Sequence, residues 1–153
     1  MKPIEIKQLG HLVLYVKDLQ KSIHFYREIL GWQQIPNSNH NFPAAAFTGG
    51  TTHHELLLIE VGPQAAALPQ GLHLGLYHFG LKIGDSDDDL RRAFDHLEKN
   101  NVPIIGATDH TVSHSLYIQD PDGNEIELYV DVPGVDWQNH PEQLFAPGKY
   151  LDL

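Results

Sequence analysis

Gly10-His11-Leu12-Val13-Leu14-Tyr15-Val16 reappears further along the chain as Tyr77-His78-Phe79-Gly80-Leu81-Lys82-Ile83. Each stretch reads as an alternating strand with a histidine at the same place, and each leads into a segment of helical character. Each copy later reaches a glutamate in an aliphatic strand, Glu60 in the first and Glu127 in the second. An internal repeat of this kind decides the architecture, because each copy must be one supersecondary unit built to the same plan. Polar residues duplicated on apolar strands point to a site that the copies share, and their types point to a metal.

Working outward, the first copy begins with a strand from about Ile6 to Val16. Asp18 caps a helix running to about Leu30, with Ile23, Tyr26, Ile29 and Leu30 on one face and Gly31 as the stop. A strand from Trp32 to Ile35 follows, then a polar loop over Asn37 to Pro43. Ala44 to Thr48, a Gly-Gly turn and His53 to Val61 make a hairpin. The second copy runs in the same order. Its first strand covers Leu76 to Ile83, and Asp85 or Ser86 caps a helix to about Lys99 with Leu90, Ala93, Phe94 and Leu97 at helical spacing. A short strand follows Pro103. Ser113 to Gln119, the turn Asp120-Pro121-Asp122-Gly123-Asn124, and Glu125 to Asp131 close the copy.

Each copy is therefore βαβββ. The expected fold is α+β, with two tandem βαβββ modules forming a cupped, eight-stranded mixed sheet and the helices outside. The expected organisation is a single domain over 1–153: module one at about 5–61, a linker at 62–75, module two at about 76–131, and an irregular tail at 132–153.

The length of 153 residues suits one domain with a real core. A formal charge of −10 argues against nucleic acid or an anionic membrane surface as partner, since both reward Lys and Arg. No apolar run approaches the length of a membrane span and Met1-Lys2-Pro3-Ile4-Glu5 lacks a signal-peptide pattern, so a soluble, cytoplasmic protein is expected. With no cysteine in the chain, any metal must be held by His and carboxylate, which favours Fe(II), Mn(II), Ni(II) or Zn(II). The chain carries 11 histidines, so position has to decide among them. His40, His73 and His140 are expected to face solvent, and Trp32 and Trp137 to pack.

Strand parity makes that decision. His11 points away from the face carrying Leu12, Leu14 and Val16, His78 away from Phe79, Leu81 and Ile83, and Glu127 away from Ile126, Leu128 and Val130. The aliphatic faces pack against helices, and the polar residues are left on the other side. Two imidazoles and one carboxylate there would make a 2-His-1-carboxylate set with open positions for substrate and oxygen.

Gly-His-Leu-Val-Leu-Tyr-Val-Lys-Asp-Leu at 10–19, Phe-Tyr-Arg-Glu-Ile-Leu-Gly-Trp at 25–32 and Asp-Pro-Asp-Gly-Asn-Glu-Ile-Glu-Leu-Tyr at 120–129 are hallmark-like segments. Through them the chain resembles the vicinal oxygen chelate superfamily, whose members include glyoxalase I, bleomycin-resistance proteins and extradiol ring-cleaving dioxygenases. The likeness covers nearly all of Leu9 to Asp131 and is closest to single-domain extradiol members. It implies metal ligands at His11, His78 and Glu127. It also implies an acid/base histidine at His54, in the His-acid segment His54-Glu55. Substrate-contacting groups fall on His110 and Tyr117, with His114 as the alternate to His110. The implied activity is Fe(II)- and O₂-dependent ring cleavage of a small catecholic molecule, by a homodimer. Two other activities occur on the same fold. One is a glyoxalase-like lyase or isomerase using Ni(II) or Zn(II), with Glu60 as a fourth ligand. The other is non-catalytic sequestration of a small molecule, as in the resistance proteins.

Overall fold

The computed structural model describes residues 2–39 and 41–153, so His40 lies outside the described residues. The chain divides into two compact units, one through Ala67 and one from Leu68 onward, with the boundary inside the segment read as a linker.

In the first unit β1 (Leu12–Val16) is followed by α1 (Leu19–Ile23), which continues as a π-helical turn over His24–Ile29. Asp18 caps α1 as expected, its Oδ1 accepting from the Lys21 amide at 3.0 Å. The wider winding turns the buried face to Leu19, Ser22, Phe25 and Tyr26, rather than the regular-helix stripe through Ile23 and Ile29. The Leu30 amide donates to the Phe25 carbonyl at 3.0 Å and Gly31 ends the segment at φ +71°, a conformation that glycine adopts without strain. β2 (Gln33–Ile35), β3 (Ala44–Thr48) and β4 (Leu56–Glu60) complete a sheet in the order β1-β4-β3-β2, with β1 and β4 parallel. Leu14, Val16, Ala45, Phe47, Leu56 and Leu58 are buried with α1 and the π-helical turn.

The second unit repeats this plan. β5 (His78–Gly84), α2 (Asp87–Lys99), β6 (Ile104–Asp109), β7 (Ser113–Gln119) and β8 (Glu125–Asp131) pair in the order β5-β8-β7-β6, with β5 and β8 parallel. Ser86 caps α2: its Oγ accepts from the Asp89 amide, and Asp89 Oδ2 accepts from the Ser86 hydroxyl and the Asp85 amide. Leu90 and Leu97 of α2 are buried, as are Leu116, Ile118, Ile126, Leu128 and Val130 of the sheet.

The tail departs from the expected irregular course. After a 3₁₀ turn at Pro141–Phe145, residues Lys149–Tyr150 form β9 and pair with β6, giving a five-stranded sheet and nine strands among the described residues. Gly148 explains the approach: a Cβ there would lie 2.9 Å from Thr108 Cγ2. Two residues are too short to show alternation, so the sequence carried no strand signal. Trp32 packs near Tyr26 and Phe47 as expected, whereas Trp137 is half exposed. His73 and His140 face solvent. Among the described residues no helix is long and apolar enough to cross a membrane.

Candidate metal centre and acid–base groups

In the first unit His11 precedes β1 and is exposed, its ring in a cluster with two other imidazoles. The His11 and His54 centroids lie 4.5 Å apart, as do those of His53 and His54. His53 Nδ1 and His54 Nδ1 are 2.6 Å apart, so one of the two rings carries its proton on Nδ1. Burial, with His11 and His53 beside it, lowers the His54 pKa, which favours the neutral imidazole that a general base requires.

His54 does not belong to the hairpin strand. It lies in the loop before β4, because Glu55 organises that loop through its carboxylate. Glu55 Oε1 accepts from the amides of Thr51 at 2.9 Å and Thr52 at 2.7 Å, and Oε2 from the Gly49 amide at 2.7 Å. These donors, that of Gly49 first, draw the Glu55 pKa from an ordinary 4.5 to about 2. A folded pKa below the unfolded one stabilises fully above the unfolded value and is lost as pH falls through the folded one. The melting-temperature gap between wild type and Glu55→Gln should therefore be widest near neutrality and shrink between about pH 4.5 and pH 2. A gap that stays constant in melts across that range would show that the carboxylate's charge is not what holds the loop.

Glu60 does not share a face with His54. It follows the parity of the buried Leu56 and Leu58, on the helix side of the sheet, and its Oε2 accepts from the Leu19 amide at the start of α1, at 2.8 Å. His11 has the opposite parity, that of the exposed Val13 and Tyr15. The ladders explain the misalignment of the copies. Leu12 pairs with Leu56 in the first and Phe79 with Ile126 in the second, so the counterpart of Glu127 is Leu57, and Glu60 corresponds to Val130.

In the second unit His78, Gly80, Ser115, Tyr117, Glu125 and Glu127 share the sheet face away from α2. His78 Nε2 lies 3.5 Å from Glu127 Oε2. The other carboxylate oxygen, Oε1, accepts from Ser115 Oγ at 2.7 Å and from the Tyr117 hydroxyl at 3.0 Å. That hydroxyl lies 2.7 Å from His110 Nε2. Tyr117 has one proton and gives it to Glu127, so His110 must donate from Nε2: the direction is His110 to Tyr117 to Glu127. Burial, then the Glu127 charge, pushes the Tyr117 pKa well up, so it remains a neutral phenol at neutral pH. His110 sits at the β6–β7 turn, which its amide closes onto the Ser113 carbonyl at 2.9 Å, with Thr111 held at φ +73°. That angle is strained for a β-branched residue. The Asp109 Oδ1 accepts the Thr111 amide at 2.6 Å and secures the turn.

His114 is turned the other way, toward α2. Its Nδ1 lies 2.6 Å from Asp87 Oδ1 and its Nε2 3.7 Å from Asp109 Oδ1. Ser115 was not singled out by sequence reasoning, although its parity with Tyr117 on one strand was available to find it.

The second unit thus supplies two donors side by side, and within neither unit do three His, Asp or Glu side chains converge in metal-holding geometry among the described residues. The fit to a cation can still be tested on the pair. Two donors each about 2.1 Å from one cation stand roughly 3.0–3.4 Å apart at octahedral to tetrahedral angles. The observed 3.5 Å lies just beyond the tetrahedral end of that range. His78 Nδ1 is buried without a hydrogen-bond partner, 3.6 Å from Glu125 Oε1. A metal-bound imidazole commonly donates its second N–H to a carboxylate, and at 3.6 Å Glu125 stands just beyond that contact.

Paired βαβββ units with a His–carboxylate pair on the open face of a sheet define a recognisable class of protein. Residues 8–128 match the family model described as Glyoxalase/Bleomycin resistance protein/Dioxygenase superfamily, and the chain belongs to that superfamily. It is 34% identical over 138 residues to a catechol-2,3-dioxygenase of Bacillus subtilis, covering 90% of this chain and 46% of the relative. It is 29% identical to a probable lactoylglutathione lyase of Vibrio parahaemolyticus, over 77% of this chain and 86% of that one. The crystal structure of a glyoxalase/dioxygenase from Nostoc punctiforme shares the fold, with a TM-score of 0.69 at 23% identity, over 86% of this chain and 96% of that one. The chain spans about half the length of the Bacillus dioxygenase it matches.

Proposed function

We propose that this protein is a metal-dependent enzyme of the extradiol type, opening the ring of a small catecholic molecule with O₂. The observation that supports it best is the run His110–Tyr117–Glu127–His78, which sets a proton-bearing imidazole and a phenol directly beside a ligand-type pair. The 34% identity to a named catechol-2,3-dioxygenase supports the same reading.

In this proposal His11, His78 and Glu127 are ligands to a divalent cation, Fe(II) in the working enzyme. Bound there, the cation would supply open positions at which two vicinal oxygens and O₂ become neighbours, replacing a chance encounter by an oriented one. The chain's own groups do the rest. His54, kept neutral by its surroundings, takes a proton from the second hydroxyl of the diol. His110 serves as the general acid during ring opening, and Tyr117, remaining protonated, keeps its one hydrogen bond on Glu127 Oε1. Glu60 is given no ligand role, since its carboxylate caps α1.

The test is O₂ uptake by anaerobically Fe(II)-loaded protein over a panel of catechols, with the ring-opened semialdehyde followed by its visible absorbance. Uptake with at least one catechol, matched by product, is expected. No uptake with any, together with turnover of a hemithioacetal by the Ni(II)- or Zn(II)-loaded protein, would replace this reading with the lyase.

A further inference from the structure

We propose that Ser115 is a positioning residue which, together with Tyr117, fixes Glu127 as a one-oxygen ligand that offers Oε2 alone to the cation. This rests on the reading of Glu127 as a ligand.

The two oxygens of Glu127 are treated unequally. Oε1 accepts two hydroxyl protons, from Ser115 at 2.7 Å and Tyr117 at 3.0 Å. A carboxylate oxygen has two in-plane lone pairs, so Oε1 is filled. Oε2 is the oxygen that lies 3.5 Å from His78 Nε2. The sheet register produces this asymmetry. Tyr117 stands directly across from Glu127 on β7, with Ser115 one step along on the same face. On the other side of β8 the residue level with Glu127 is Gly80. A Cβ there would lie 3.3 Å from Glu127 Oε2 and 3.3 Å from Tyr129 Cε1, so the glycine leaves Oε2 its room.

Ser115 is fully buried, so without the carboxylate its hydroxyl would be stranded. A hydroxyl placed there has the carboxylate as its purpose rather than solvent. The consequence is chemical: a carboxylate bound through both oxygens occupies two coordination positions, whereas one bound through Oε2 leaves the second free for substrate or oxygen. Ser115 touches neither, and acts through Glu127.

The experiment titrates Co(II) into the metal-free full chain and reads affinity by calorimetry and coordination number from the visible absorption band. Wild type should bind one Co(II) per chain. Ser115→Ala and Tyr117→Phe should each weaken binding by about 10-fold, as loss of an outer hydrogen bond to a ligand does. Each should also weaken the visible band, because the released Oε1 joins the cation and raises its coordination number. Gly80→Ala, which crowds Oε2 without straining the backbone, should lower affinity while the melting temperature holds. Wild-type affinity and band in both hydroxyl variants would overturn the inference. Absence of Co(II) binding by wild type would instead overturn the ligand reading on which it rests.

Discussion

Glu127→Gln is expected to lose tight divalent-metal binding, by more than the 10–100-fold that outer-shell changes cost, while the protein stays folded. The amide is isosteric with the carboxylate, and its oxygen can keep both hydroxyl donors, Ser115 and Tyr117, satisfied. Its NH₂ then points toward His78, where a cation would need an anionic oxygen. The substitution therefore separates ligation from packing, which Glu127→Ala would not, since alanine strands a fully buried hydroxyl. Calorimetric titration of Fe(II) under anaerobic conditions, or of Zn(II) in air, measures the loss, and a thermal melt checks the fold. Binding within threefold of wild type would remove Glu127 from the ligand set, and with it the mechanism proposed above.

Much of this was legible in the chain because parity and repetition are strong signals. The alternation Glu125-Ile126-Glu127-Leu128-Tyr129-Val130 placed the carboxylate on the face away from the helix, and the buried Ile126, Leu128 and Val130 bear that out. The same rule separates His114 from Tyr117: three positions apart on one strand, they take opposite faces, and His114 meets Asp87 on the helix side. Parity also reveals that Glu60 shares the side of Leu56 and Leu58. What misled was matching one glutamate to another by type, when the counterpart of Glu127 in the first ladder is Leu57.

The residues that stayed hidden are those that depend on turns and on cross-strand neighbours. Nothing in the alternation indicates that Glu55 would bind three loop amides, those of Gly49, Thr51 and Thr52, and so take His54 out of the strand. Ser115 became meaningful only once Glu127 was known to lie beside it. The first copy makes the contrast plain. Where the second has Glu127, Tyr117 and Ser115, the first has Leu57, Ala46 and Ala44 at the matching register, so duplication preserved the scaffold while only one copy carries the polar network.

Replacing His110 by alanine is the second large effect, expected in turnover rather than in metal binding. The hydrogen-bond direction leaves Tyr117 as a fixed donor to Glu127, and its raised pKa keeps it protonated across the neutral range. The movable proton in this run is therefore assigned to His110, whose Nε2–H points at the Tyr117 oxygen. Loss of a positioned general acid typically lowers the rate by 10²–10⁴-fold. His110→Ala should therefore lower kcat within that range on whichever catechol the wild type turns over, with metal affinity close to unchanged. Tyr117→Phe should differ in kind, weakening metal binding because it releases a ligand oxygen. Single-turnover rates with both variants loaded to full occupancy separate the two roles. If His110→Ala keeps kcat within threefold at full loading, the proton comes from elsewhere and His110 serves only to hold Tyr117 in place.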